Sequence, residues 1–373
     1  MKAGVKSFLK MAVAALAVMV LCGGLAGFYL YDYYPLNVDY SDVPAELNNK
    51  TASAEAVALY GLLKDNYGKK IFAGQYVNVF ENPEKYASDV FAIAEMSAVY
   101  GVTGAYPAVL GLDASRFEDG EAAHVLQLAQ DWHNAGGIVT MCWHWFAPEG
   151  ESGRGSFYTK QTDFDLKAAL ADKDSVAYRR LLQDIRSTAT MLKILKTQGV
   201  PILWRPLHEA AGGWFWWGAA GKQAYFELYR LIYDIFNDEF SLDNLIWIWN
   251  GQSRGWYVGD NYCDIIGEDT YPKKMFYSIN GSMSNKFDRA YNTTPNKKMV
   301  AMSENGYLPD VDEMFDKKKV WLFCATWCYE FVCEKNENGE FVGEYSEKYT
   351  PASYLKAFYD HPGTLKLADL NAG

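Results

Sequence analysis

Five short segments concentrate the side chains that carry chemistry. They are Trp143-His144-Trp145, Arg205-Pro206-Leu207-His208-Glu209, Glu268-Asp269-Thr270-Tyr271-Pro272, Ser303-Glu304-Asn305-Gly306 and Thr326-Trp327-Cys328-Tyr329-Glu330. Each stands at the C-terminal end of a short apolar run. Charged and imidazole groups are costly beside a core unless they are partnered there. Glu209 and Glu304 are the central pair. Cleavage of a glycosidic bond needs one carboxylic acid to protonate the leaving oxygen and one carboxylate to attack or to activate water. These roles require different proton affinities, the acid's raised and its partner left ionised. Arg205, His208 and Tyr271 are the cationic and hydrogen-bonding groups able to impose that difference. A separation of about 5–5.5 Å would make the second carboxylate a nucleophile and retain anomeric configuration.

Apolar runs alternating with helical patterns must position these groups. Strands are expected at Ile71–Gln75, Pro107–Leu112, Ile138–His144, Pro201–His208, Leu245–Trp249, Asp264–Asp269, Lys298–Ser303 and Leu322–Trp327. Helical patterns cover Lys85–Tyr100, Glu121–Ala135, Val176–Gln198 and Lys222–Phe236, and an amphipathic helix over Ala52–Asn66 precedes them. Most runs lack polar alternation, as strands covered on both faces do. Eight β-then-α units describe an α/β fold of the (β/α)8 TIM-barrel type, with one catalytic domain. In such barrels the chemistry lies where strands end and βα loops begin, and strands four and seven face each other across the mouth. Glu209 and Glu304 therefore approach from opposite sides. The long loop Pro148–Asp174 would wall the cleft. Trp247 and Trp249 alternate on strand five, so they share a face, with sugar contact expected at its upper end.

The 373 residues carry 46 acidic and 35 basic side chains, for a net charge of −11. That balance argues against nucleic acid or an anionic membrane surface as partner. Aromatic residues reach 16%, with 12 Trp, 27 Tyr and 20 Phe, which suits a cleft for the apolar faces of sugars. Lys2, Lys6 and Lys10 precede an uncharged apolar run from Met11 to Leu30, the pattern of an export signal, a lipidated leader at Cys22 or, if uncleaved, a membrane anchor. Residues 1–30 are thus read as signal or anchor, 31–51 as a linker and 52–373 as the barrel, exported to the periplasm, cell surface or medium. The other five cysteines (Cys142, Cys263, Cys324, Cys328 and Cys333) have no zinc-site spacing and are read as buried free thiols. No metal or other cofactor is expected, and the chain is expected to act as a monomer. The glycine-rich tract Gly150–Gly155 does not fit a nucleotide-binding loop. A surface hairpin is expected between Val332 and Tyr345.

Pro206-Leu207-His208-Glu209, followed by Gly212-Gly213-Trp214-Phe215-Trp216-Trp217-Gly218, resembles the acid/base signature of glycoside hydrolase family 26, largely β-mannanases built on a (β/α)8 barrel. Matches continue in order through Ala73-Gly74-Gln75, Tyr106-Pro107-Ala108-Val109 with Gly111 and Asp113, Gly136-Gly137-Ile138-Val139-Thr140 with Trp143-His144, Asp269-Thr270-Tyr271 and Ser303-Glu304-Asn305-Gly306. The likeness runs from about residue 70 to 330. It implies Glu209 as acid/base and Glu304 as nucleophile. His144 and His208 would line the subsite of the sugar whose bond breaks, and Tyr271 would sit beside the nucleophile. Trp214 would contact the neighbouring sugar and Trp327 would lie under the ring. Arg205 and Asp269 join the substrate-binding set, with Asp269 read as orienting Arg205 or His208. Trp216 and Trp217 are read as packing. Where many members carry Met-Asn after the acid/base, this chain has Ala210-Ala211, a change that reshapes the leaving-group side. The implied activity is a retaining endo-β-1,4-mannanase acting on β-mannan or manno-oligosaccharides. The alternatives are exo-acting release of mannobiose or short oligosaccharides, cleavage of β-1,3/1,4-glucan or xylan, and a non-catalytic sugar-binding barrel.

Overall fold

The apolar runs form eight parallel strands: β1 (Ile71–Tyr76), β2 (Val109–Asp113), β3 (Ile138–Cys142), β4 (Ile202–Arg205), β5 (Leu245–Trp249), β6 (Ile265–Thr270), β7 (Met299–Asn305) and β8 (Phe323–Thr326). Neighbours pair in chain order, and β1 pairs with β8 from Phe72↔Phe323 to Gln75↔Thr326, closing the sheet. Helices lie between strands, and the fold is a (β/α)8 barrel. The computed structural model describes residues 38–79, 89–117, 122–148, 156–273 and 281–371. The apolar N-terminal run and the tract Gly150–Gly155 lie outside the described residues, as does the start of the helix expected over Lys85–Tyr100. Among the described residues no helix is long and apolar enough to cross a membrane.

Every residue of the eight strands is buried, which is why their sequences do not alternate. Inside the barrel, Phe72, Leu203, Ile246, Ile248, Ile265, Met299, Ala301 and Phe323 form one cluster with Leu59, Tyr60, Leu63 and Tyr67 from the helix Ala54–Asn66. That helix starts at Ser53, whose hydroxyl accepts from Ala56 N, and it closes the barrel floor, with Tyr67 accepting the N–H of Val300 at 3.1 Å. Residues 40–50, read as linker, are tied to this floor. Tyr40 donates to Lys318 O (3.0 Å), Asn48 donates to the carbonyls of Asp260 and Cys263, and Leu47 is buried.

Several elements have other bounds than their apolar patterns. β4 stops at Arg205, because Pro206 follows and Leu207 takes a left-handed backbone (φ 51°) that no strand continues. The helix expected over Lys85–Tyr100 is Ala94–Thr103, preceded by a short turn capped by Asp89 and an extended Ile93. Trp247 and Trp249 do share a face, but it is the outer one. Trp247 packs on Tyr233 (4.8 Å between ring centres) and Trp249 on Tyr257 (5.0 Å), so the sugar contact expected of them is excluded by burial. A two-stranded hairpin, β9 (Cys333–Lys335) with β10 (Phe341–Tyr345), stands where one was expected, and a two-residue strand β11 (Thr364–Leu365) pairs with the start of β1. Cys142, Cys263, Cys324, Cys328 and Cys333 are all buried and free.

Candidate active site

At the C-terminal ends of the strands lies an open cleft of about 470 Å³. Glu209, Glu304, His144, His208, Tyr271 and Trp327 line it together, with Phe157, Tyr158, Phe215, Tyr329 and Phe331 adding an aromatic wall. Glu304 lies near the end of β7, opposite Asp269 of β6 in register. Its Oε1 accepts from Arg205 and its Oε2 from the Tyr271 hydroxyl at 2.7 Å, so both oxygens are held.

Arg205 and Asp269 stand outside the substrate-binding set expected of them, and Asp269 takes the orienting place also read for it. Neither lines the cleft, and their side chains have no exposed surface. Arg205 is clamped by Asp269 Oδ2 at 2.8 Å and by the Tyr76 hydroxyl at 3.3 Å, while Asn250 Nδ2 donates to Asp269 Oδ1 at 2.6 Å. Burial without exposed surface rules out sugar contact, so Arg205 reaches a substrate only through Glu304, and Asp269 orients Arg205. Even the strand packing serves this clamp. A Cβ on Gly111 would lie 2.4 Å from the Tyr76 ring, so glycine leaves room for the ring whose hydroxyl meets Arg205.

Glu209 is held by backbone geometry. Leu207 (φ 51°) and Glu209 (φ 54°) are both left-handed, a conformation costing about 1–3 kcal/mol per residue and typical of functional sites. The Glu209 N–H to Asn250 O bond (2.7 Å) and the Trp217 Nε1–H to His208 O bond (2.8 Å) hold the segment in place. Trp217 and Trp216 are buried packing residues. Trp214 folds back over Gly212, where a Cβ would lie 2.1 Å from its ring, and donates Nε1–H to Glu209 Oε2 at 2.9 Å. Trp214 is half-exposed at the rim rather than in the cleft wall.

The two carboxylates therefore sit in unequal surroundings. Glu304 is held by an arginine and a phenol. Burial first, and the Glu304 charge second, push Glu209 up to about 6.

His144 and His208 meet Nε2 to Nε2 at 3.2 Å beside Phe215, and the Trp327 ring lies 5.6 Å from His144 and 4.8 Å from Tyr76. Burial, then Arg205, then His144 hold His208 well below the usual imidazole range. His144 is lowered by burial but raised further by Asp113, whose Oδ2 is 2.5 Å from its Nδ1; the net direction is upward. Among the described residues, Asp113, Cys142 and His144 are the one grouping of metal-ligand types. The 2.5 Å Asp113–His144 contact is shorter than the roughly 3.3 Å that tetrahedral geometry sets between two N/O ligands of one zinc, so this pair of atoms is a hydrogen bond.

Asp113, Tyr76, Tyr158 and Asn250 are parts of the site that sequence reasoning missed as such. Asp113 was visible only as a matching strand-two position, and Tyr158 only as part of the long loop. Tyr76 and Asn250 carry no local signal, because their roles come from partners across the barrel.

A family model described as "Glycosyl hydrolase family 26" matches residues 48–354. A mannan endo-1,4-beta-mannosidase of Thermothelomyces thermophilus is 37% identical over 82% of this chain and 62% of its own length. The first three curated relatives are matched over 52–62% of their lengths, so the chain spans little more than half of each. Among solved structures, a Podospora anserina GH26-CBM35 beta-(1,4)-mannanase superposes with TM-score 0.74 at 34% identity, covering 89% of this chain and 70% of that one. A beta-mannanase from a symbiotic protist of the termite Reticulitermes speratus, complexed with gluco-manno-oligosaccharide, gives 0.76 at 27% identity over 88% and 98%. With the barrel, the strand-end carboxylates and the family match all falling on the same stretch, the chain belongs to glycosyl hydrolase family 26.

Proposed function

We propose that the protein is an exported, retaining endo-β-1,4-mannanase, with Glu209 as acid/base and Glu304 as nucleophile. The observation that carries this reading is the unequal treatment of two carboxylates in one cleft: Glu209 pushed up to about 6, Glu304 held at both oxygens by Arg205 and Tyr271. In the first step Glu304 attacks the anomeric carbon while Glu209 gives its proton to the glycosidic oxygen, and the leaving sugar departs. In the second, Glu209 takes a proton from water, the water oxygen bonds to the anomeric carbon, and Glu304 is released as carboxylate. Arg205 and Tyr271 hold both oxygens of the nucleophile and aim it. The aromatic wall meets the apolar faces of the sugars, and Trp214 meets the leaving-group side.

The relatives named as mannanases support β-mannan as substrate and internal cleavage as mode. Export rests on Lys2, Lys6 and Lys10 ahead of the apolar run. A polysaccharide panel read by reducing ends tests the reading. Wild type should shorten β-mannan at random positions, and Glu209→Gln should lose about 10²–10⁴-fold in kcat/KM. Release of a single small product from chain ends would favour the exo mode. Turnover of glucan or xylan without mannan would reassign the substrate, and no turnover of any of these would leave a binding barrel.

A further inference from the structure

Asp113 ends β2 and grips His144 by backbone and ring together. Its Oδ1 accepts the N–H of His144 (3.1 Å) and of Ser115 (2.9 Å), and its Oδ2 lies 2.5 Å from His144 Nδ1. Both residues are buried, and Asp113 is 2% exposed. Arg205, on the neighbouring side of His144, is already bonded to Asp269 and Glu304. A buried carboxylate beside a neutral imidazole would then be an uncompensated charge, which is far costlier than an ion pair. On its other side His144 Nε2 is 3.2 Å from His208 Nε2, and only one of two nitrogens that close carries the shared proton. His208 Nδ1 is buried without a protein partner among the described residues.

We propose that Asp113 is a positioning residue acting through His144: it keeps that imidazole doubly protonated, so that His144 donates to His208 and a fixed cation lies in the cleft with Glu209 and Glu304. His208 is then neutral, accepting at Nε2 and carrying its proton on Nδ1. The groups facing His144 are Asp113 from β2, Cys142 from β3, Arg205, His208 and Glu209 from β4 and its loop, and Glu304 from β7. The rings of Phe157, Phe215 and Trp327 pack around it. The directions of both imidazoles, His144 upward and His208 downward, agree with this assignment. The His144 charge also acts on Glu209, restraining the rise that burial imposes. A fixed cation thus keeps the acid from climbing too far to serve as base in the second step.

This inference rests on the reading of Glu209 and Glu304 as the catalytic pair, but its first test needs no substrate. With only five histidines in the chain, imidazole ¹⁵N signals of the full protein can be assigned by single substitutions. Between about pH 6 and 8, where free imidazoles titrate, His144 should keep both nitrogens protonated and His208 only Nδ1. In Asp113→Asn, His144 should release a proton within that range. The alkaline limb of kcat/KM should move to higher pH, with a loss of about 10- to 100-fold, as expected for removing a charge-assisted hydrogen bond. A neutral His144 in the wild type overturns the inference even if Asp113→Asn fails to fold. So does a folded Asp113→Asn whose pH limb stays in place. A purely structural Asp113 would alter stability without moving either signal.

Discussion

Glu209 and Glu304 differ in what holds them more than in where they lie. Glu304 is fixed at one oxygen by an arginine that is itself clamped and at the other by Tyr271, whereas Glu209 has one indole N–H at 2.9 Å, with burial and a neighbouring negative charge raising it against Arg205 and His144. An acid pushed up to about 6 is protonated below that pH and loses its proton above it, so kcat/KM, which reports the first displacement, should fall as pH rises through about 6. The Trp214 N–H favours the ionised form and so holds that value down. Trp214→Phe should therefore move the alkaline limb upward and raise KM through the altered rim, and a pH–rate profile on a soluble oligosaccharide reads both. Both catalytic candidates were legible in the sequence, because a glutamate after an apolar run is too costly to be incidental when its neighbours are also polar. The carboxylate behind His144 was not legible as a partner, because no spacing rule connects residue 113 to residue 144 until the strands pair.

At the scale of elements, the strands were readable and their facing was not. An apolar run such as Leu245–Trp249 identifies a strand covered on both sides, and for that reason says nothing about which side points inward. Trp247 and Trp249 were placed on one face correctly and on the wrong one. Boundaries slipped where the backbone turned left-handed at Leu207 or where Ile93 stayed extended, since both depend on contacts distant in the chain. The helix Ser284–Tyr291 is joined to the approach to β8 by an ion pair between Lys319 and Asp288, with side chains only 1% and 7% exposed. Lys319→Met should cost about 3–5 kcal/mol, because it removes a buried partner of the Asp288 carboxylate, and adding Asp288→Asn should recover part of that loss. Chemical denaturation of the two variants decides it. Equal stability of single and double variants would mean that the pair is not the cause.

The whole barrel separates a floor that stabilises from a mouth that reacts. The floor is made by the helix Ala54–Asn66 and by residues 40–50, which the composition alone marked as a linker, since polar chain that docks and polar chain that does not look alike in sequence. A chain beginning at Tyr40 keeps this floor and serves as the reference. One beginning at Thr51 loses the burial of Leu47 and the Tyr40 and Asn48 bonds, and its Tm should fall by about 5 °C or more. At the mouth, a retaining mechanism requires that Glu304 form a covalent bond to the sugar. Incubating the protein with a slow 2-fluoro manno-oligosaccharide bearing a good leaving group, then digesting it and sequencing the peptides by mass spectrometry, examines that bond directly. One glycosyl group, on Glu304, is the expected result. Complete turnover with the anomeric centre inverted, or an adduct on any other residue, would contradict it.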